Sequence, residues 1–167
     1  FDHFARPTDS LAIAARAGRL RRNFQGYTED TADALIGLGA SSIGQLPQGY
    51  VQNITATGDY RKAVAGGNGA IAKGFALTPS DKLRAHAIMT LLCKFALAPK
   101  DLAGFGAAGA ALLHEAEAIA LTDEDGLTEM AEGQFRVTAR GRPFIRSIAA
   151  RFDAYLGQGA ARHSLAV

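Results

Sequence analysis

Thr78-Pro79-Ser80-Asp81 opens the stretch that decides the fold. A threonine hydroxyl can cap a helix, proline suits its first turn, and an acid sits near the positive pole. Leu83, Ala87, Thr90 or Leu91, and Lys94 then recur at helical spacing, and Ile88, Leu91, Leu92 and Phe95 supply a broad apolar face. Downstream, Pro99-Lys100-Asp101-Leu102 predicts a short helix ended by Gly104 and Gly106. An Ala-rich, intrinsically favourable helix is expected over 107–121. An acidic turn at 123–126 leads into the segments 127–130 and 135–138, which flank Glu132-Gly133 and read as a β-hairpin. Thr138 is expected to cap a last helix over 139–156, with Phe144 or Ile145, Ile148, Phe152 and Tyr155 as its stripe. Helix, helix, helix, hairpin, helix is the order of a winged-helix module.

Upstream the pattern differs. Residues 9–19 predict a helix capped by Asp9 or Ser10, with Arg16, Arg19, Arg21 and Arg22 gathered at its negative pole. Residues 22–28 read as extended, with Gly26 as a turn. The apolar run 34–39 predicts a buried strand opening into a Gly-rich turn, and Pro47 and Gly49 predict irregular chain after it. A helix from about Thr55 should stop at Gly66-Gly67-Asn68-Gly69, with 70–77 extended. These pieces make no complete sheet and look like the tail of a larger α/β domain. The expected class is α+β, mostly α. Residues 1–60 would be a barrel remnant, 61–77 a connector, 78–157 the helical winged-helix-like domain and 158–167 a frayed tail.

Composition narrows the function. The chain has 167 residues, 48% of them apolar, which suffices for a core. A net charge of +2 is too mild to argue for nucleic acid. The 107–121 helix, the candidate for groove binding, carries Glu115 and Glu117 and no Lys or Arg. Asp123, Glu124 and Asp125 follow it, so a phosphate backbone would be repelled. The most apolar stretch, 104–121, contains His114, Glu115 and Glu117, and no membrane span is expected. One cysteine, Cys93, rules out an internal disulfide or a multi-cysteine metal site and fits a reducing, cytoplasmic setting. Cys93 itself reads as a small core residue on a helix. The sequence shows no charged-then-apolar leader, so no secretory signal is expected in it.

Several motifs admit two readings. Gly37-Leu38-Gly39-Ala40-Ser41-Ser42-Ile43-Gly44 is either a ligand-facing turn or a tight packing turn. It lacks the Gly-Lys-Ser/Thr of a phosphate loop, and Gln45-Leu46-Pro47 cannot readily open the helix that a dinucleotide motif needs. The arginines could bind carboxylates, or simply end a solvated helix. Asp2-His3 could be an acid–base pair or merely structural. His3, His86, His114, His163 and Cys93 show no metal-ligand spacing, so no metal site is expected.

Asp2-His3-Phe4-Ala5-Arg6-Pro7 followed by Arg22-Asn23-Phe24-Gln25-Gly26-Tyr27-Thr28 resembles the oxygen-independent coproporphyrinogen oxidases. Gly37-Leu38-Gly39-Ala40-Ser41-Ser42-Ile43 and Tyr50-Val51-Gln52-Asn53 continue the likeness, as do Gly74-Phe75-Ala76-Leu77-Thr78, Leu92-Cys93-Lys94-Phe95, Val137-Thr138-Ala139-Arg140-Gly141-Arg142 and Phe152-Asp153-Ala154-Tyr155-Leu156. Ser42 replaces a commoner alanine, and 103–111 matches poorly.

The resemblance implies the tail end of an incomplete β/α barrel before the helical domain. It also implies a parent enzyme of haem synthesis with a 4Fe–4S cluster and S-adenosylmethionine. A 5′-deoxyadenosyl radical removes hydrogen from a propionate of coproporphyrinogen III; loss of carbon dioxide and an electron leaves a vinyl group, and two such events give protoporphyrinogen IX. The family's Cys-x3-Cys-x2-Cys motif is not in this sequence. The chain alone is therefore expected to bind no cofactor, to hold no catalytic residue and to be inactive, its partner being the missing N-terminal barrel. Ile43 matches a family position contacting S-adenosylmethionine. Phe24 and Gln25 match the segment near a second S-adenosylmethionine, and Arg22 is the candidate for a substrate carboxylate. The competing readings are a relative in haem handling or acting on another substrate, a non-enzymatic winged-helix binding module, and a structural domain that self-associates through apolar surface.

Overall fold

The structure, a computed structural model, describes residues 4–23 and 26–156. It is a mixed α and β chain of helices and small antiparallel sheets. The expected frayed tail and the Asp2-His3 pair lie outside the described residues.

Helix α1 spans Ser10–Arg16, and the Asp9 carboxylate accepts from the Leu11 N–H. It ends three residues before Arg19, because Gly18 takes a left-handed φ of 66° and turns the chain. The expected arginine cluster disperses. Arg16 donates to the Pro7 carbonyl at 2.5 Å and Arg21 to that of Thr31 at 3.4 Å. Strands β1 (Arg21–Asn23) and β2 (Gly26–Thr28) form a two-stranded ladder, with Gly26 inside β2 opposite Asn23.

The second sheet has the order β3-β4-β5, formed by Ile43–Leu46, Gly49–Asn53 and Ile71–Ala76. Two expectations fail here. Residues 34–39 are not a buried strand. Leu35 alone bridges to Gln45, while Ile36 and Leu38 stand 75% and 85% exposed. Among the described residues no layer covers them, and their expected burial needs one. Nor is the chain irregular after Pro47: Leu46 pairs with Gly49 across a tight hairpin. Gly49 belongs to the strand because the β5 backbone passes so close that a Cβ would sit 2.0 Å from the Phe75 carbonyl oxygen. Helix α2 (Thr57–Ala65) stops at Gly66, as expected, and Gly67 is left-handed. Residues 61–77 thus carry the end of α2 and all of β5, which hydrogen-bonds to β4.

Helix α3 runs Pro79–Lys94 and starts as its sequence demands. The Thr78 hydroxyl accepts from the Asp81 N–H at 3.2 Å, and the Asp81 carboxylate accepts from the Thr78 N–H at 2.8 Å and hydroxyl at 2.7 Å. Next come β6 (Ala96–Leu97), α4 (Pro99–Leu102), a 3-10 turn over Ala103–Phe105 and α5 (Gly106–Leu121). The hairpin is β7 (Thr128–Ala131) with β8 (Gln134–Val137). Strand β6, too short to show periodicity, joins it to give the order β6-β8-β7.

The last helix is shorter than expected. Pro143 has no N–H to donate, so Arg142–Phe144 is a 3-10 turn, and α6 covers only Ile145–Ala150. Thr138 nonetheless ends the strand as a cap, its hydroxyl accepting from the Gly141 N–H at 3.1 Å. Ile145, Ile148 and Phe152 are buried, whereas Phe144 and Tyr155 are about half exposed.

One core holds the helices and the third sheet together. Phe135 and Phe152 meet edge to face at 5.9 Å, both fully buried, among Leu91, Leu97 and Leu102. Arg84 makes a two-pronged bond to Glu115, at 3.1 and 2.9 Å, and donates to the Phe152 carbonyl at 3.0 Å. It thereby links α3, α5 and the chain after α6.

Two outcomes are expected. Gly141→Ala places a Cβ about where the Leu127 carbonyl oxygen already sits, 2.0 Å away. It should destabilise the fold by about 1–3 kcal/mol in urea unfolding. Asp81, held below the ordinary carboxylate range first by the Thr78 hydroxyl, adds stability that is present at neutral pH and lost as pH falls through its folded value. Asp81→Asn should therefore lower the melting temperature at pH 7 and flatten its fall in acid, as read by circular dichroism.

Candidate functional site

The resemblance places its residues on two hairpins. Arg22 lies in β1 opposite Tyr27 in β2, so the two share one face of the first hairpin. The Arg22 guanidinium stands over the Tyr27 ring at 5.9 Å, and the Tyr27 hydroxyl donates to the Leu92 carbonyl at 3.1 Å. This face therefore turns toward the end of α3. There burial pushes the Cys93 thiol up, while Arg22 and Lys94 pull it the other way. Cys93 is half-buried rather than a core residue. Phe24 and Gln25, between these strands, lie outside the described residues.

Ile43 is the first residue of β3, half-buried and paired with Gln52. The turn before it is fixed from within. The Asn53 side-chain amide donates to the carbonyls of Gly37 at 3.0 Å and Gly39 at 2.9 Å. The Ser41 N–H reaches the Ile54 carbonyl at 2.9 Å, Gln52 donates to the Ser41 carbonyl at 3.1 Å, and the Gly39 N–H donates to the Tyr60 hydroxyl at 3.1 Å. Neither Asn53 nor Tyr60 was a candidate, although Asn53 ends the quoted Tyr50-Val51-Gln52-Asn53 segment.

The glycines have local causes. A Cβ on Gly37 would meet the Ile43 carbonyl oxygen at 2.8 Å, and Gly39 takes a φ of 102°. They shape a rigid rim beside Ile43 and do not themselves require a ligand.

Curated coproporphyrinogen oxidases align with nearly all of this chain. The protein from Bradyrhizobium diazoefficiens, named oxygen-independent coproporphyrinogen III oxidase, is 44% identical over 167 residues, 99% of this chain and 37% of its own length. One of the same name from Paracoccus denitrificans is 42% identical over 99% of the chain and 37% of its own length. The solved structure of coproporphyrinogen III oxidase from Escherichia coli, described as a radical SAM enzyme, superposes with a TM-score of 0.83 at 38% identity. The match covers 93% of this chain and 36% of that one.

The chain is homologous to the C-terminal part of oxygen-independent coproporphyrinogen III oxidases. It spans little more than a third of the length of these relatives. No family model matches it.

The residues present do not fit an iron–sulfur cluster: the whole sequence has one cysteine, and among the described residues no three His, Cys, Asp or Glu side chains could hold a metal ion. Ile43 presents an apolar side chain beside the turn that Asn53 ties, the kind of surface an apolar part of a cofactor could meet. Among the described residues no helix is long and apolar enough to cross a membrane.

Asn53→Ala removes both ties to the glycine turn and leaves two carbonyls without those donors. It should speed amide exchange at Gly39 and Ser41 and destabilise the chain by about 1–3 kcal/mol, with the helical unit's exchange unchanged.

Proposed function

We propose that this chain is the C-terminal part of an enzyme that oxidatively decarboxylates coproporphyrinogen III to protoporphyrinogen IX. The observation that carries the reading is the likeness to the Escherichia coli enzyme along 93% of the chain, in sequence and in backbone together. S-adenosylmethionine, bound with a cluster held by other polypeptide, supplies the radical chemistry. The residues of this chain position and enclose.

Ile43 packs against one S-adenosylmethionine, and Phe24 and Gln25 approach a second. Arg22 pairs with a substrate carboxylate. Residues 1–60 belong to the barrel, 61–77 connect and 78–157 form the C-terminal domain. The order β6-β8-β7, entered through α3, α4 and α5, supports a winged-helix-like reading of that domain. It does not serve nucleic acid: α5 carries Glu115 and Glu117 and no Lys or Arg. The setting is the cytoplasm, where one unpaired cysteine is ordinary.

The test is a chimera in which these 167 residues replace the corresponding segment of the Bradyrhizobium diazoefficiens relative. Loaded anaerobically with cluster and S-adenosylmethionine, it should convert coproporphyrinogen III to protoporphyrinogen IX, read by chromatography after oxidation. Ile43→Asp should lower kcat/KM at least about tenfold, since it sets a charge against an apolar contact. A folded, cluster-loaded chimera that makes no vinyl product would overturn the reading.

A further inference from the structure

The three strands of the second sheet hold one charged side chain, Lys73 of β5. Strand register fixes its neighbours. Ile43 pairs with Gln52, and Gln52 pairs with Lys73, so the three form a row across β3, β4 and β5 on one face. Two strand spacings, about 10 Å, separate the ends of the row. Tyr50 and Phe75, also paired, stand two residues along on the same face and border the row with rings.

Each member of the row offers a different chemistry. Ile43 is apolar and half-buried. The Gln52 side-chain nitrogen donates to the Ser41 carbonyl at 3.1 Å, so the amide oxygen is the end left to accept from a ligand. Lys73 is exposed, and among the described residues no carboxylate pairs with it. Apolar surface, acceptor and cation, in that order, suit an α-amino acid carried on a less polar body. The body lies on Ile43, the ammonium on the Gln52 oxygen and the carboxylate on Lys73.

We propose that Lys73 binds the carboxylate of the methionine part of S-adenosylmethionine, with its ammonium against Gln52 and its less polar remainder against Ile43. The inference rests on the function proposed above, and it brings β5 into the cofactor site. A lysine on an exposed edge strand also deters pairing with another copy, but a charge of either sign serves that role.

The test uses the cluster-loaded chimera, titrated with S-adenosylmethionine. Binding is read at this face, as slowed amide exchange over residues 43–53. Lys73→Met should raise the midpoint at least about tenfold, the worth of one charge-assisted bond, and Lys73→Glu should raise it further. Lys73→Arg should keep it. Decarboxylated S-adenosylmethionine lacks only the carboxylate. It should bind the chimera at least about tenfold more weakly than the complete cofactor, and Lys73→Met should weaken it no further.

The proposal is overturned if S-adenosylmethionine leaves exchange over 43–53 unchanged, or if Lys73→Glu binds it as the native chimera does. It is equally overturned if Lys73→Arg loses as much as Lys73→Met, or if Lys73→Met weakens the decarboxylated cofactor as much as the complete one. The chimera separates the two readings. Product formation with a native midpoint in Lys73→Glu sinks this contact alone. Lys73-dependent binding in a chimera that forms no product sinks the function alone.

Discussion

Asp81 is the group on which the arrangement of the whole chain turns. One of its oxygens closes the start of α3 onto Thr78, and the other accepts from the Tyr155 hydroxyl at 2.9 Å. The Tyr155 ring in turn meets Phe75 of β5 edge to face at 5.6 Å. A single carboxylate thus joins the first turn of α3, the chain beyond α6 and the second sheet. Tyr155 is pushed up by the same bond, so both partners stay in the protonation states that the contact needs at neutral pH.

The other end of α3 carries the matching tie. Tyr27 donates to the Leu92 carbonyl, one of the last in the helix and so without a full set of helical partners. Helix α3 is therefore a beam with the second sheet fixed at its start and the first hairpin fixed near its end. Its middle is held by the core through Leu83, Ala87 and Leu91 and by the Arg84–Glu115 bond. Rigidity along this one helix sets the spacing of the two hairpins that carry the candidate residues.

What was legible in the sequence follows from where each signal resides. The start of α3 could be read because all its determinants are local: cap, proline and acid within four residues. The β7–β8 hairpin was equally local. Strand β6 was not, since Ala96-Leu97 has no pattern of its own and is a strand only because β8 lies beside it. Gly49 read as a breaker, when its lack of a side chain is what lets β5 pass. Residues 34–39 read as buried because apolar runs usually are, but no layer among the described residues covers Ile36 and Leu38. At the candidate site, Ile43 and Arg22 lie in a glycine-rich turn and an arginine run that each admitted a ligand, and the resemblance singled them out. Asn53 was missed because an amide that ties a turn to itself looks, in sequence, like any polar strand end.

The first hairpin also constrains how a ligand can be held. Its two faces differ: Arg22 and Tyr27 share one, while Arg21 and Asn23 alternate to the other. The Tyr27–Leu92 bond holds the Arg22–Tyr27 face toward α3. Arg22 on that face is consequently set against the helical unit, whereas Ile43 is carried by the second sheet. Neither sheet alone can set the distance between the two. That distance is a property of α3 and its two end contacts.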